Sequence, residues 1–191
     1  VMNGTVSLND YDMVDFIMGK QAQTKVGRGA GPVKYEVFPV LLREKIAGYA
    51  NDGGNMLISG AFVASDLWDS YDVTDEGKAF ATDVLKYRWM THYASKDNIV
   101  RSVANPYGFN GEFTFNNTLN DKIYVVEAPD AMVPADKDAY TIFRYRNTIS
   151  AGVAYKGDYK VVVLGVPVET FSSQEQIEEF MAQVTGFFEQ E

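Results

Sequence analysis

Three short runs of nearly unbroken apolar residues constrain this chain most. Met13, Val14, Phe16, Ile17 and Met18 fall within residues 11–18 and stop at Gly19. Met56, Leu57 and Ile58 fall within residues 55–59, and Val161, Val162, Val163 and Leu164 within residues 159–166. A strand that is apolar on both faces needs cover on both, and flanking helices supply it in a parallel sheet. The pattern predicts the three runs as parallel neighbours joined by right-handed crossovers. The expected fold is therefore α/β, with a mainly parallel, flavodoxin-like sheet flanked by helices.

The helices are readable from their stripes and caps. A helix is expected from about Pro39, with Phe38, Leu41, Leu42, Ile46 and Tyr49 on one face and Asn51, Asp52, Gly53 and Gly54 stopping it. A short helix should run through Leu67. A longer one is expected over residues 74–87, capped by Asp72 or Thr74, with Phe80, Ala81, Val84 and Leu85 inward. The last helix is the clearest element. Ser172 and Ser173 stand three residues before Glu175 and Gln176, two overlapping capping boxes, and Ile177, Phe180, Met181, Val184 and Phe187 or Phe188 form its stripe.

Two segments depart from this alternation. Residues 21–34 carry Gly27, Gly29, Gly31 and Pro32 and read as a loop. Residues 98–155 contain short alternating segments at 99–103, 112–115, 123–126, 140–144 and 151–155, separated by Gly, Asn, Asp and Pro. They predict a β-rich excursion from the main sheet. Neither a repeat nor a linker divides the 191 residues, so a single domain is expected, as part of a larger polypeptide.

Composition excludes several functions. The formal charge of -9 repels phosphate backbones, and no basic stripe offsets it, so nucleic acid is not an expected partner. The chain has no cysteine, which removes disulfides, thiolate nucleophiles and cysteine-ligated metals. No apolar run approaches the length of a membrane span. Residues 1–10 lack the basic and apolar regions of a signal peptide. No cofactor is expected.

Each chemistry-bearing feature has a plainer structural explanation beside it. Leu57-Ile58-Ser59-Gly60-Ala61 has the outline of a strand-to-helix nucleophile elbow, but Ile58 stands where the flanking glycine belongs. Ser59 is then a small residue at the rim of a tight crossover. His92 is the only imidazole available to a serine or thiol mechanism, and no charged residue stands at an orienting spacing. A lone histidine also argues against a histidine-ligated metal site, and none is expected. Asp66, Asp69, Asp72 and Asp75 recur every third residue without the glycine and glutamate of an EF-hand, so caps and a solvated face explain them. Glu127, Asp130 and Glu169 are the acidic residues that would serve paired-carboxylate glycoside chemistry. Trp68, Tyr71, Tyr87, Trp89 and Tyr93 form an aromatic-rich stretch; Trp68, Tyr71 and Trp89 are the candidates for stacking on a sugar, although aromatics more often build the core.

Three segments together carry a resemblance. Asn9-Asp10-Tyr11-Asp12-Met13-Val14-Asp15-Phe16-Ile17-Met18-Gly19 is similar to the "YD-hydrophobic-Gly" strand of class I glutamine amidotransferase-like domains. Gly53-Gly54-Asn55-Met56-Leu57-Ile58-Ser59-Gly60-Ala61 resembles their central strand and elbow, and Val163-Leu164-Gly165-Val166-Pro167-Val168-Glu169-Thr170 their late strand. A closer likeness, including Asp66-Leu67, is to the amidotransferase-like domain of secreted bacterial proteins described as xanthan lyase-like. The resemblance covers about half of the chain.

It implies the fold and a secreted, periplasmic or cell-surface setting with polysaccharide and neighbouring domains as partners. It argues against the family's chemistry, because the elbow cysteine is absent and no histidine precedes Glu169. The expectation is a non-catalytic module with a binding or structural role. The alternative is a carbohydrate-active lyase or hydrolase using Glu127, Asp130 or Glu169 with a tyrosine; Ser59 is the remaining weak catalytic candidate.

Overall fold

The computed structural model describes residues 1–29 and 31–190. In chain order the strands are β1 (Met13–Gly19), β2 (Thr24–Lys25), β3 (Val33–Lys34), β4 (Asn55–Gly60), β5 (Tyr87–Thr91), β6 (Ile99–Ser102), β7 (Glu112–Thr114), β8 (Ala131–Pro134), β9 (Ala139–Tyr145), β10 (Ser150–Lys156) and β11 (Lys160–Leu164). The helices are α1 (Val40–Asn51), α2 (Ser65–Trp68), α3 (Asp75–Ala79) and α4 (Gln174–Phe188). No helix among the described residues is long and apolar enough to cross a membrane.

Seven strands form one sheet in the order β1-β4-β11-β10-β9-β6-β7. The three apolar runs are adjacent, β4 lying parallel between β1 and β11. The remaining neighbours, β11-β10, β10-β9, β9-β6 and β6-β7, are antiparallel. The sheet is thus mixed and mostly antiparallel, which corrects the mainly parallel, flavodoxin-like expectation. The reason lies in residues 98–155: their β segments supply the second half of the sheet. β9 and β10 form a hairpin whose turn includes Thr148 in the left-handed region, at φ 71°.

The central strands divide their side chains strictly between two cores. Met56 and Ile58 of β4 and Val161 and Val163 of β11 face one side, with Ile46 and Tyr49 of α1 and Leu67 of α2. Leu57, Val162 and Leu164 face the other, where Phe180, Val184, Phe187 and Phe188 of α4 cover them. The apolar runs Met56–Ile58 of β4 and Val161–Leu164 of β11 are buried because both faces are covered. β1 is not. It is the edge strand, and Met13, Asp15 and Ile17 on one face stay exposed while Val14, Phe16 and Met18 are partly buried.

The terminal helix follows its capping chemistry. Ser173 is the N-cap, and its hydroxyl accepts the Gln176 N–H at 3.3 Å. Neither overlapping box closes in full: the Gln176 side-chain oxygen accepts the Thr114 N–H of β7 at 2.9 Å, and the Ser172 N–H goes to the Thr114 carbonyl. Thr74 caps α3 by accepting from the Gly77 N–H. The expected helix over residues 74–87 is shorter than its stripe suggests. It passes into a π-turn over Phe80–Val84, and Lys86 at φ 64° releases Tyr87 into β5, which pairs antiparallel with β8. Pro39 is the N-cap of α1 rather than its first helical residue. Residues 123–126 form no strand, and the loop at 21–34 closes on the small β2-β3 hairpin.

Candidate functional site

The carboxyl ends of the three parallel strands meet at one end of the sheet. In α/β sheets this is where ligands ordinarily bind, because the connections there are free to diverge. The Ala61 N–H, at the elbow after β4, donates to the Gly19 carbonyl at the end of β1, at 2.8 Å. Gly60 has to be small: a Cβ there would stand 2.9 Å from Met18 Cβ and 2.9 Å from Val63 Cγ1. Ser59, immediately before it, is fully buried, and its Oγ lies 3.5 Å from the Val168 N–H in the turn that follows β11. Ser59 is therefore a packed hydroxyl bridging two strand ends, whereas a nucleophile elbow projects its serine outward.

Glu169 belongs to the same end, on a single 3₁₀ turn, Val168–Thr170. Its Oε1 accepts the Tyr124 hydroxyl at 2.5 Å, and its Oε2 is buried without a hydrogen-bond partner. Gly19 makes room for this pair, since a Cβ there would lie 3.2 Å from the Tyr124 hydroxyl and 3.5 Å from Glu169 Oε1. Burial, then the bond and charge of Glu169, hold the Tyr124 hydroxyl far above the usual tyrosine range. Asp15, on the neighbouring β1, is pushed up to about 6, first by desolvation and then by the charge of Glu169. Asp15 nevertheless exposes part of its surface, so its carboxylate is crowded and not sealed. Glu127, just beyond Tyr124, pairs with Lys20 at 2.5 Å at the surface, and that hydrogen bond lowers its pKa.

Asp130 has a different task. It is fully buried, and its Oδ2 accepts from the Ala64 N–H at 2.8 Å, the Ser65 N–H at 2.7 Å and the Ser65 hydroxyl at 3.0 Å. It thereby satisfies the amino end of α2 from 65 residues away. Its Oδ1 has no partner. Burial outweighs the three donors and pushes the carboxyl up to about 7. The three candidate carboxylates thus take three separate partners: Lys20 for Glu127, the α2 terminus for Asp130, and Tyr124 for Glu169.

His92 has a carboxylate neighbour that no local spacing reveals. Its Nε2 stands 3.6 Å from Asp69 Oδ2, and the ring lies edge-on to Trp89 and Tyr93. Trp68 and Trp89 are half-buried against the core on the α1 side, with Lys78 Nζ 5.7 Å from the Trp68 ring, while Tyr71 is exposed. Asp66 is buried and accepts the Phe38 N–H, and Thr74, not Asp72, makes the cap. Among the described residues no group of three or more acidic or histidine side chains could hold a metal ion. A groove of about 550 Å³ runs between α1 and α3 along Val40, Ala47, Ala79, Phe80 and Val84, and none of the sequence-predicted site residues lines it.

These elements define an α/β domain built on a mixed sheet. It is similar to part of the cold-adapted β-galactosidase from Rahnella sp. R3, with a TM-score of 0.54 and 13% identity, over 95% of this chain and 23% of that one. Weaker likenesses join it to the exo-β-1,4-mannosidase Op5Man5 from Opitutaceae bacterium strain TAV5 (TM-score 0.48, 10% identity, 95% of this chain and 25% of that one) and to the mmIFT52 N-terminal domain (TM-score 0.47, 16% identity, 95% and 78%). The chain spans about a quarter of the length of the β-galactosidase and of the mannosidase. No protein-family model matches it, and neither does any curated protein. At these identities only the fold is shared, and of these three likenesses the one to the β-galactosidase has a TM-score above 0.5.

Proposed function

We propose that this chain is a non-catalytic, amidotransferase-like module of a secreted or cell-surface protein that handles polysaccharide, with a binding or structural role. The observation that carries the reading is Ser59. At the position where an elbow would project a nucleophile, the side chain is fully buried and bridged to the Val168 N–H. The one histidine stands 3.6 Å from Asp69 instead, in a crevice that Ser59 does not line. A hydrolytic elbow needs an exposed nucleophile with a base in reach. The fold likeness to part of a β-galactosidase is in keeping with a carbohydrate setting. The test is retention without turnover: the domain should be retarded in gels containing a polysaccharide while releasing no new chain ends.

A second reading has an observation of its own. Tyr124 and Glu169 are hydrogen-bonded at the carboxyl end of β1, and the charge of Glu169 adds to the desolvation that pushes the Asp15 carboxyl of the same strand up to about 6. Acid and base groups in such an arrangement suit proton transfer in a lyase or hydrolase. Polymer cleavage that disappears in Glu169→Gln would establish it in place of the first.

A further inference from the structure

A crevice of about 80 Å³ opens outside the carboxyl ends of β1 and β4. Gln23, in the loop after β1, and Phe62, just after β4, form part of its wall, and Asp69, Ser70 and His92 line it as well. His92 and Asp69 set a donor and an acceptor side by side, 3.6 Å apart, and both keep part of their surface in solvent, 39% and 51%. Trp89 and Tyr93 meet the imidazole edge-on, with centroids at 6.1 and 5.2 Å, so its plane is held from two directions. Tyr93 stands beside it with 67% of its surface exposed, and Tyr71, the residue after Ser70, is 62% exposed.

We propose that this crevice binds the edge of a neutral pyranose unit. This rests on the polysaccharide reading above and gives it a place and a ligand chemistry. Adjacent sugar hydroxyls both donate and accept, which matches an imidazole beside a carboxylate. Phe62 and the open Tyr93 ring supply apolar surface for the C–H face of the sugar, the usual complement to a few fixed polar groups. The notch is too small to enclose a whole ring, so it takes one edge of a chain that continues across Tyr93. With a formal charge of -9 and Asp69 in the wall, the site disfavours anionic sugars.

The experiment is calorimetry and NMR on the whole chain with β-1,4-mannohexaose, β-1,4-galactotetraose and cellohexaose, and with chitosan hexamer as the cationic arm. At least one neutral saccharide should bind and move the His92 ring resonances. Tyr93→Ala and Asp69→Asn should each weaken it about tenfold, while Tyr11→Ala, an exposed tyrosine on another segment, should not. Binding of a neutral saccharide with His92 unmoved and both variants at wild-type affinity would overturn the site and leave the polysaccharide reading standing. Binding of the chitosan hexamer alone would overturn the neutral-sugar assignment. No binding of any of the four would overturn the site and the binding role together.

Discussion

The Tyr124 hydroxyl donates to Glu169 Oε1 at 2.5 Å, joining a loop of the β-rich segment to the turn after β11. Glu169 also raises Asp15, so its charge links the turn after β11 to the interior of β1. Glu169→Gln should lower the Asp15 pKa from about 6, yet leave it above the ordinary 3.8, since desolvation is the larger cause. Carboxyl-carbon NMR titration of Asp15 in both proteins checks this. An Asp15 titration unmoved by the substitution would show that Glu169 does not reach it.

Asp130 should make the domain lose stability as pH rises. Its folded pKa, about 7, lies above the ordinary 3.8, so the folded state holds a proton that the unfolded chain releases. The stabilisation is complete below about pH 4 and disappears as pH passes through 7. Its size is on the order of 2–4 kcal/mol, from roughly three units of displacement. Denaturant midpoints between pH 4 and 8 should fall with a slope that Asp130→Asn flattens.

Phe180 lies at zero exposure, its ring centroid 5.6 Å from Phe113, 6.0 Å from Phe143 and 5.6 Å from Phe171. Phe180→Ala should cost about 3–5 kcal/mol, because a cavity opens between α4 and the sheet. That is a large share of the roughly 5–15 kcal/mol that holds a domain together. An unchanged denaturation midpoint would mean that α4 is peripheral.

Ser59 should be chemically silent. A fluorophosphonate probe should leave no adduct on the native domain, because the hydroxyl is buried and held against Val168. Ser59→Ala should cost about 1–3 kcal/mol, because it leaves the buried Val168 N–H without its acceptor. An adduct lost in that variant would reinstate the elbow as an active site.

Local chemistry made parts of this structure legible in the sequence. The three apolar runs, the stop after Asn51, the Ser173 cap and the α4 stripe are all set by neighbouring residues, and each stands where the pattern puts it. What non-local pairing decides was not legible. The alternating segments of residues 98–155 announce strands, but nothing in them says that they join the same sheet antiparallel. β1 has the composition of a strand buried on both faces, although its edge position leaves Ile17 exposed. β5 begins after Lys86, a non-glycine residue in the left-handed region, so no glycine marked the end of the preceding helix. At the carboxyl ends of the parallel strands, motif order points to Ser59 and Glu169. Tyr124 was missed because its link to Glu169 spans 45 residues, and Asp69 because it meets His92 only through the fold.

The most direct test of the account is to incubate the domain with xanthan, galactan and mannan, following retardation in affinity gels and product release in the same samples. A non-catalytic polysaccharide module should be retarded by at least one polymer and should release neither reducing ends nor unsaturated products. Release that is lost in Ser59→Ala or Glu169→Gln would contradict it.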